Sequence, residues 1–196
     1  MIPLEDPMIK SPSLIPIADT KTRASNGMIA YFHLPVNRLV NERLSVFPKL
    51  RGIASWEIDS PRSAYLLLEP WMTKLRIQEL YGALRGLFGP YLRFGAAEQK
   101  TTARAAALLR PVPHCLIVAP VNTVRFLAQV PIHLLPGLGH RTARYLQHQG
   151  ITTFDSFRRV STTTIKEWFG VSGLILQQFA HGIDPRVVEP QRIAPI

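Results

Sequence analysis

The stretch Leu135-Pro136-Gly137-Leu138-Gly139-His140-Arg141-Thr142-Ala143-Arg144-Tyr145-Leu146 constrains this chain more than any other. A helix ending near Leu135 meets Gly-Leu-Gly, and a basic helix starts at once after it. Glycine lacks a Cβ and tolerates positive φ, so the chain reverses tightly and presents consecutive backbone amides. Those amides fall at the N-terminus of the following helix, where unpaired N–H groups and the helix dipole favour an anion. Arg141 and Arg144 add positive charge beside them. A turn of this kind can hold a nucleic-acid phosphate without reading a base. The same residues also allow an ordinary helix corner capped by glycine.

The pattern resembles the helix-hairpin-helix motif of DNA repair and replication proteins. Pro136-Gly137-Leu138-Gly139, Thr142-Ala143 and Leu146 fall in its register, and Gly150-Ile151-Thr152-Thr153-Phe154 opens a further helix at the expected distance. The candidate DNA-binding residues are Gly137, Leu138, Gly139, His140, Arg141, Thr142 and Arg144. His148, on the same basic helix, is either a further approach to phosphate or a plain surface residue.

The charge balance agrees with a polyanionic partner. The 196 residues carry a formal net charge of +10, and each phosphate neutralised by such charge releases counterions. An acidic membrane surface would attract the same charge, but no apolar run reaches the length of a membrane span. The N-terminus, with Glu5 and Asp6, does not read as a secretory signal. A hydrophobic fraction of 46% marks a globular chain. Cys115 is the one cysteine; it excludes an internal disulfide, fits a reducing cytoplasm, and reads as a buried thiol within an apolar run.

Along the chain, residues 1–27 are proline-punctuated and read as a flexible arm. Strands are expected at 28–34, 53–58, 64–68, 91–96 and 114–118, with Asp59-Ser60-Pro61-Arg62 as a turn. Leu39, Leu44 and Phe47 fit a short helix, 71–88 a long one stopped by Gly89-Pro90, and 98–109 an alanine-rich one. After Pro120 the pattern becomes helical: 121–130, the hairpin, 154–160, 163–169 and 174–181. The expected fold class is α+β: a ferredoxin-like, palm-type sheet with helices over 28–120, then a small all-helical, thumb-like module over 121–196.

These residues carry a family resemblance. The run from Met28 to Pro190 resembles the palm and thumb of Y-family (DinB/UmuC-like) translesion DNA polymerases, most of all their catalytically inactive ImuB-like branch. In the thumb the matching residues are Phe126-Leu127-Ala128, Pro131-Ile132, the hairpin, Gly150-Ile151-Thr152, Phe169-Gly170, Gly173 and His181-Gly182-Ile183-Asp184. In the palm they are Ala64-Tyr65-Leu66-Leu67-Leu68 and Arg93-Phe94-Gly95-Ala96-Ala97 with Gln99-Lys100. The resemblance implies that Lys100 stands where the family's lysine approaches the incoming triphosphate. A solvated lysine at a helix start is the alternative.

The departures are as informative. The family holds two magnesium ions on carboxylates of the first palm strand and of an Asp-Glu pair. Here the Asp-Glu positions fall on Arg62 and Ser63, and the first-strand positions on His33 and Pro35. Magnesium needs hard oxygen ligands, and an arginine at a ligand position would repel the ion. About twenty residues separate Val40 from Arg62, too few for a fingers subdomain. The chain stops near Ile196, where the family's little finger would begin.

Other chemistry is thin. Glu57 and Asp59 lie two apart, so a strand would turn both carboxylates to one side, as a displaced metal site or as a solvated strand end. The six histidines show no zinc spacing. Arg158 and Arg159 extend a basic face, while Trp56, Trp71 and Trp168 read as packing residues rather than base-stacking platforms. The expectation is therefore a non-catalytic, cytoplasmic DNA-binding accessory protein of DNA repair, translesion synthesis and the SOS response. It would hold duplex or primer-template sequence-independently, need no metal or cofactor, and bridge to a polymerase or another repair protein. An active nucleotidyltransferase with relocated carboxylates and a polymerase-derived protein-interaction module are the alternatives.

Overall fold

The computed structural model describes residues 27–34, 39–40 and 47–189. The expected N-terminal arm falls outside them, as do Pro35 and most of the short helix expected around Leu44. The chain packs as two compact units. One is Val124–Ile183; the other joins the described residues of Ser25–Thr123 to those of Asp184–Ile196.

The second unit is built on a sheet of five strands: β1 (Ile29–His33), β2 (Ile53–Ser60), β3 (Ser63–Leu68), β4 (Arg93–Ala97) and β5 (His114–Ile117). Their spatial order is β2-β3-β1-β4-β5, with β4 and β5 parallel and the other neighbours antiparallel. Buried β1 lies at the centre, which suits its near-continuous apolar sequence Ile-Ala-Tyr-Phe. The two expected strands on either side of residues 59–62 form a hairpin, with Ser60 paired to Ser63 across a turn tighter than the sequence implied.

Side chains alternate across a sheet, so successive residues of β1 serve different faces. Phe32, with Ala64, Leu66 and Phe94, points to the face covered by helix α1 (Lys74–Phe88), which buries Ile77, Leu80, Leu84 and Phe88. Phe32, Phe47 and Phe88 meet there with ring centroids 5.4–6.1 Å apart. Each such pair contributes about 0.5–1.5 kcal/mol beyond its burial. The opposite face carries Tyr31, Tyr65 and Gly95, and helix α2 (Lys100–Leu108) lies on it. The two helices thus cover different faces, and a fifth strand extends the four-stranded ferredoxin-like plan. Cys115 is half-buried, and burial pushes its thiol up to about 11, which leaves it a poor nucleophile. Trp71 is exposed, unlike the packing residue expected from its type.

The first unit is helical: α3 (Thr123–Ala128), a 3-10 turn (Ile132–Leu134), α4 (His140–His148), α5 (Phe154–Arg158) and α6 (Thr162–Ala180). Its core is Leu127, Val130, Ile132, Leu135, Ala143, Leu146, Phe154, Phe157 and Ile165. Gly150, at φ 80°, lets the chain leave α4 and run back beside the segment before the turn. There Ile132 N–H donates to Thr152 O at 2.8 Å and Phe154 N–H to Val130 O at 2.9 Å. Thr153 and Ser156 then form a capping box that starts α5. Gly170 breaks α6 with φ 62° and ψ −150°, so the two helices expected at 163–169 and 174–181 abut across a kink.

Candidate nucleic-acid interface and the remodelled sheet face

Gly137 takes φ 83° and Gly139 is the N-cap of α4, both exposed at the surface of the helical unit. The segment before them differs from expectation: instead of an α-helix running to Leu135, it is the short 3-10 turn. Pro131 and Pro136 deny it two amide donors, which limits helix growth on either side. No side chain caps α4. Among the described residues, no backbone carbonyl accepts from the amides of Gly139, His140, Arg141 or Thr142. A shallow cavity of about 370 Å³ opens here, lined by His133, Leu138, His140, Ala143, Arg144 and Gln147. Arg141 and Arg144 are exposed, while Ala143 and Leu146 on the other side of α4 are buried. The helix therefore shows solvent a basic face and an uncapped N-terminus, an arrangement that favours an anion.

Lys100 is a different case. Its side chain is 5% exposed; Nζ donates to Glu57 Oε2 at 2.5 Å and lies 4.8 Å from the Tyr65 ring centre. The lysine expected to meet a phosphate is instead buried and neutralised by a neighbouring acid. Burial forces this outcome, because an unpaired ammonium in the interior is costly.

Strand register explains how that pair forms. Glu57, Tyr65, Tyr31 and Gly95 stand in one row across β2, β3, β1 and β4. Gly95 admits α2 close to the sheet, which lets Lys100 reach over Tyr65 to Glu57. A bulge between Ile58 and Ser60 inserts Asp59, and bulges re-aim side chains. Asp59 accepts from the Tyr31 hydroxyl at 2.8 Å and from the Ser63 hydroxyl at 3.3 Å, and Arg104 Nε lies 3.9 Å away. Glu57 also accepts from Glu189 N–H at 2.7 Å. Glu57 is half-buried in its ion pair, whereas Asp59 stays exposed at the strand end while its oxygens are engaged by these neighbours. Burial and the Asp59 charge push the Tyr31 hydroxyl above its ordinary range, so it stays a protonated donor.

The next row is Ser63, His33 and Arg93, directly opposite one another on three strands. Arg62 precedes Ser63 in the turn, and Arg62 O accepts from Leu34 N–H at 2.8 Å. Burial first, then the charges of Arg93, Arg62 and Arg104, lower the His33 imidazole to about 4, so it is neutral near pH 7. No group of three His, Cys, Asp or Glu residues placed to hold a metal occurs among the described residues.

Asp184 is a site that sequence reasoning passed over. It is 1% exposed and caps α2 from a distance, accepting from Thr101 N–H at 2.9 Å and from the Thr101 hydroxyl at 2.7 Å. Arg186 donates to it from Nε at 2.8 Å. The signal available in the sequence was Gly182-Ile183-Asp184, quoted for the resemblance but given no role.

Known proteins place this architecture. Over 99 residues, half of this chain, it is 32% identical to a DNA polymerase IV of Yersinia enterocolitica, covering 28% of that protein. Over 136 residues, 62% of the chain, it is 31% identical to DNA polymerase IV 2 of Halalkalibacterium halodurans, covering 33% of it. A DinB family error-prone DNA polymerase from Sulfolobus solfataricus superposes with a TM-score of 0.64 at 21% identity, over 76% of this chain and 46% of that one. A Y-family DNA polymerase chimera gives 0.62 at 21% identity, over 78% and 46%.

The chain has a Y-family polymerase fold.

It spans about a third or less of the curated relatives named here and under half of the solved structures. No protein-family model matches it. His33, Arg62 and Ser63, which the resemblance sets against the family's metal-binding carboxylates, carry no carboxylate themselves. Two magnesium ions need several converging carboxylate oxygens, and these three side chains do not fit that demand.

Proposed function

We propose that this protein is a non-catalytic DNA-binding accessory factor of translesion synthesis and DNA repair, in the manner of the ImuB-like branch. It holds the sugar-phosphate backbone of a duplex or primer-template through the helix-hairpin-helix of Gly137–Arg144, without reading sequence. The observation that carries this reading is the exposed glycine turn and helix start, where among the described residues no backbone carbonyl accepts from the amides of Gly139 to Thr142 and the helix presents Arg141 and Arg144. The amides of Gly139 to Thr142 would donate to one phosphate, and the two arginines would flank it. The net charge of +10 supplies the longer-range attraction. The DNA polymerase names of the relatives support DNA as the partner and the cytoplasm as the setting. A polymerase or another repair protein would be the second partner.

Absence of catalysis rests on the sheet face. The family's metal-ligand positions carry Arg62, Ser63 and His33, and both nearby acids are already engaged by protein donors. That engagement also speaks against relocated carboxylates at Glu57 and Asp59.

Fluorescence anisotropy on a labelled duplex in EDTA tests the DNA reading. Affinity should fall steeply with salt, and Arg141→Glu should cost about tenfold while lowering the salt slope by about 1. Gly139→Asp separates binding from folding. Gly139 has ordinary φ and open space around it, and aspartate is a better N-cap than glycine. The variant should melt no lower than the parent yet bind DNA at least tenfold more weakly. Undiminished binding by both variants would remove the hairpin from the interface.

A further inference from the structure

We infer that the end of the sheet formed by His33, Arg62, Ser63 and Arg93 is a phosphate-binding site that works without a metal ion. The site lies in the sheet unit and is independent of the hairpin reading.

Four observations converge on it. Strand register sets Ser63, His33 and Arg93 side by side on one face. The turn that carries Arg62 is pinned by Leu34 N–H to Arg62 O and Val40 N–H to Pro61 O, both 2.8 Å. Arg62 N–H further donates to Ser60 Oγ at 3.3 Å, so the base of the arginine is held in place. The acids nearby are committed elsewhere: Asp59 to Tyr31, Ser63 and Arg104, and Glu57 to Lys100. Among the described residues neither Arg62 nor Arg93 forms an ion pair, although both are half-buried. Burial and the like charge of Arg62 hold the Arg93 guanidinium below its ordinary range.

Two neighbouring cations repel each other at a cost, and among the described residues no acid pairs with either. An anion seated between them relieves that repulsion, and the chemistry of the donors selects which anion. Guanidinium forks match the paired oxygens of a phosphate, and the neutral His33 ring adds one N–H. Ser63 stands beside His33 in the same row, its buried hydroxyl held by Ser60 at 2.6 Å and by Asp59 at 3.3 Å. The two charges, unpaired among the described residues, match a phosphate group of charge near −2.

The probe is inorganic tripolyphosphate in EDTA, added to the full chain, with histidine-ring resonances followed by NMR and His33 assigned from His33→Gln. The His33 signal should move to saturation, and Arg62→Ser with Arg93→Ser should weaken that response at least tenfold. Gly139→Asp should leave it unchanged, which separates this site from the hairpin. Resonances of the other five histidines report whether the double variant stays folded. Should it not, the Arg62→Lys and Arg93→Lys pair, which keeps charge but loses the fork, should still weaken binding several-fold. Competition then identifies the source of the phosphate. Displacement by a blunt duplex assigns a DNA strand, and displacement by a deoxynucleoside triphosphate assigns a free nucleotide. The inference is overturned if His33 does not respond at millimolar probe, or responds only with magnesium. Equal binding by the substituted proteins, or displacement by neither competitor, overturns it as well.

Discussion

Gly95→Ala should lower the melting temperature by more than about 10 °C, although it adds a single methyl group. A Cβ at Gly95 would lie 2.2 Å from Ala103 O, 2.4 Å from Ala107 N and 2.7 Å from Ala106 Cβ. Two of those three atoms are backbone of α2, so no rotamer change can make room. Overpacking of a rigid contact costs about 1–3 kcal/mol, and backbone obstacles put this case at or above the upper end. Either α2 lifts from the sheet or β4 bends away, and both movements draw Lys100 away from Glu57. Gly82→Ala is the control with opposite sign. Gly82 sits exposed within α1 with nothing within 4 Å of its added methyl, so alanine there should stabilise by about 0.5–1 kcal/mol. Thermal denaturation of the two variants beside the parent checks both signs.

Asp184→Ala should cost about 3–5 kcal/mol, because it strips a buried charge partner rather than a surface one. The carboxylate bridges Thr101 at the start of α2 to Arg186, and each would lose its hydrogen bonds to this carboxylate. Burial alone would raise its pKa, but hydrogen bonds and charge from Arg186, with help from Thr101, hold it below the usual carboxylate range. The linkage follows from that direction. The folded state binds the proton less readily than the unfolded state, so the stabilisation is present above the unfolded pKa near 3.8. It is lost as pH falls through the lower folded value. Asp184→Asn keeps the shape without the charge and should flatten the stability profile between about pH 5 and 2. Urea denaturation at a series of pH values measures this, and an Asn variant that parallels the parent across that range would contradict it.

Much of this fold was legible because its strands and helices announce themselves locally. The run Met28-Ile29-Ala30-Tyr31-Phe32 could only be a buried strand, and Gly89-Pro90 had to stop the helix before it. The glycines at 137 and 150 marked the turns of the helical unit because their positive φ is a local demand. What sequence could not show was set by contacts between distant residues. Glu57 and Lys100 are 43 positions apart and Tyr31 and Asp59 are 28 apart, so Lys100 looked available to phosphate when it is buried. Asp184 meets Thr101 across 83 positions. The bulge at Asp59 was equally hidden, since a bulge depends on the partner strand. The first helix of the hairpin was overextended, because prolines at 131 and 136 weigh against a pattern that otherwise reads as helical.

A primer-extension assay with magnesium and all four deoxynucleoside triphosphates bears most directly on the central claim, that this chain holds phosphate but does not transfer it. The account predicts that a labelled primer-template is bound and leaves the reaction unextended. Extended primer from the wild-type protein, abolished in Glu57→Ala or Asp59→Ala, would contradict it and return the carboxylates of β2 to a working metal centre.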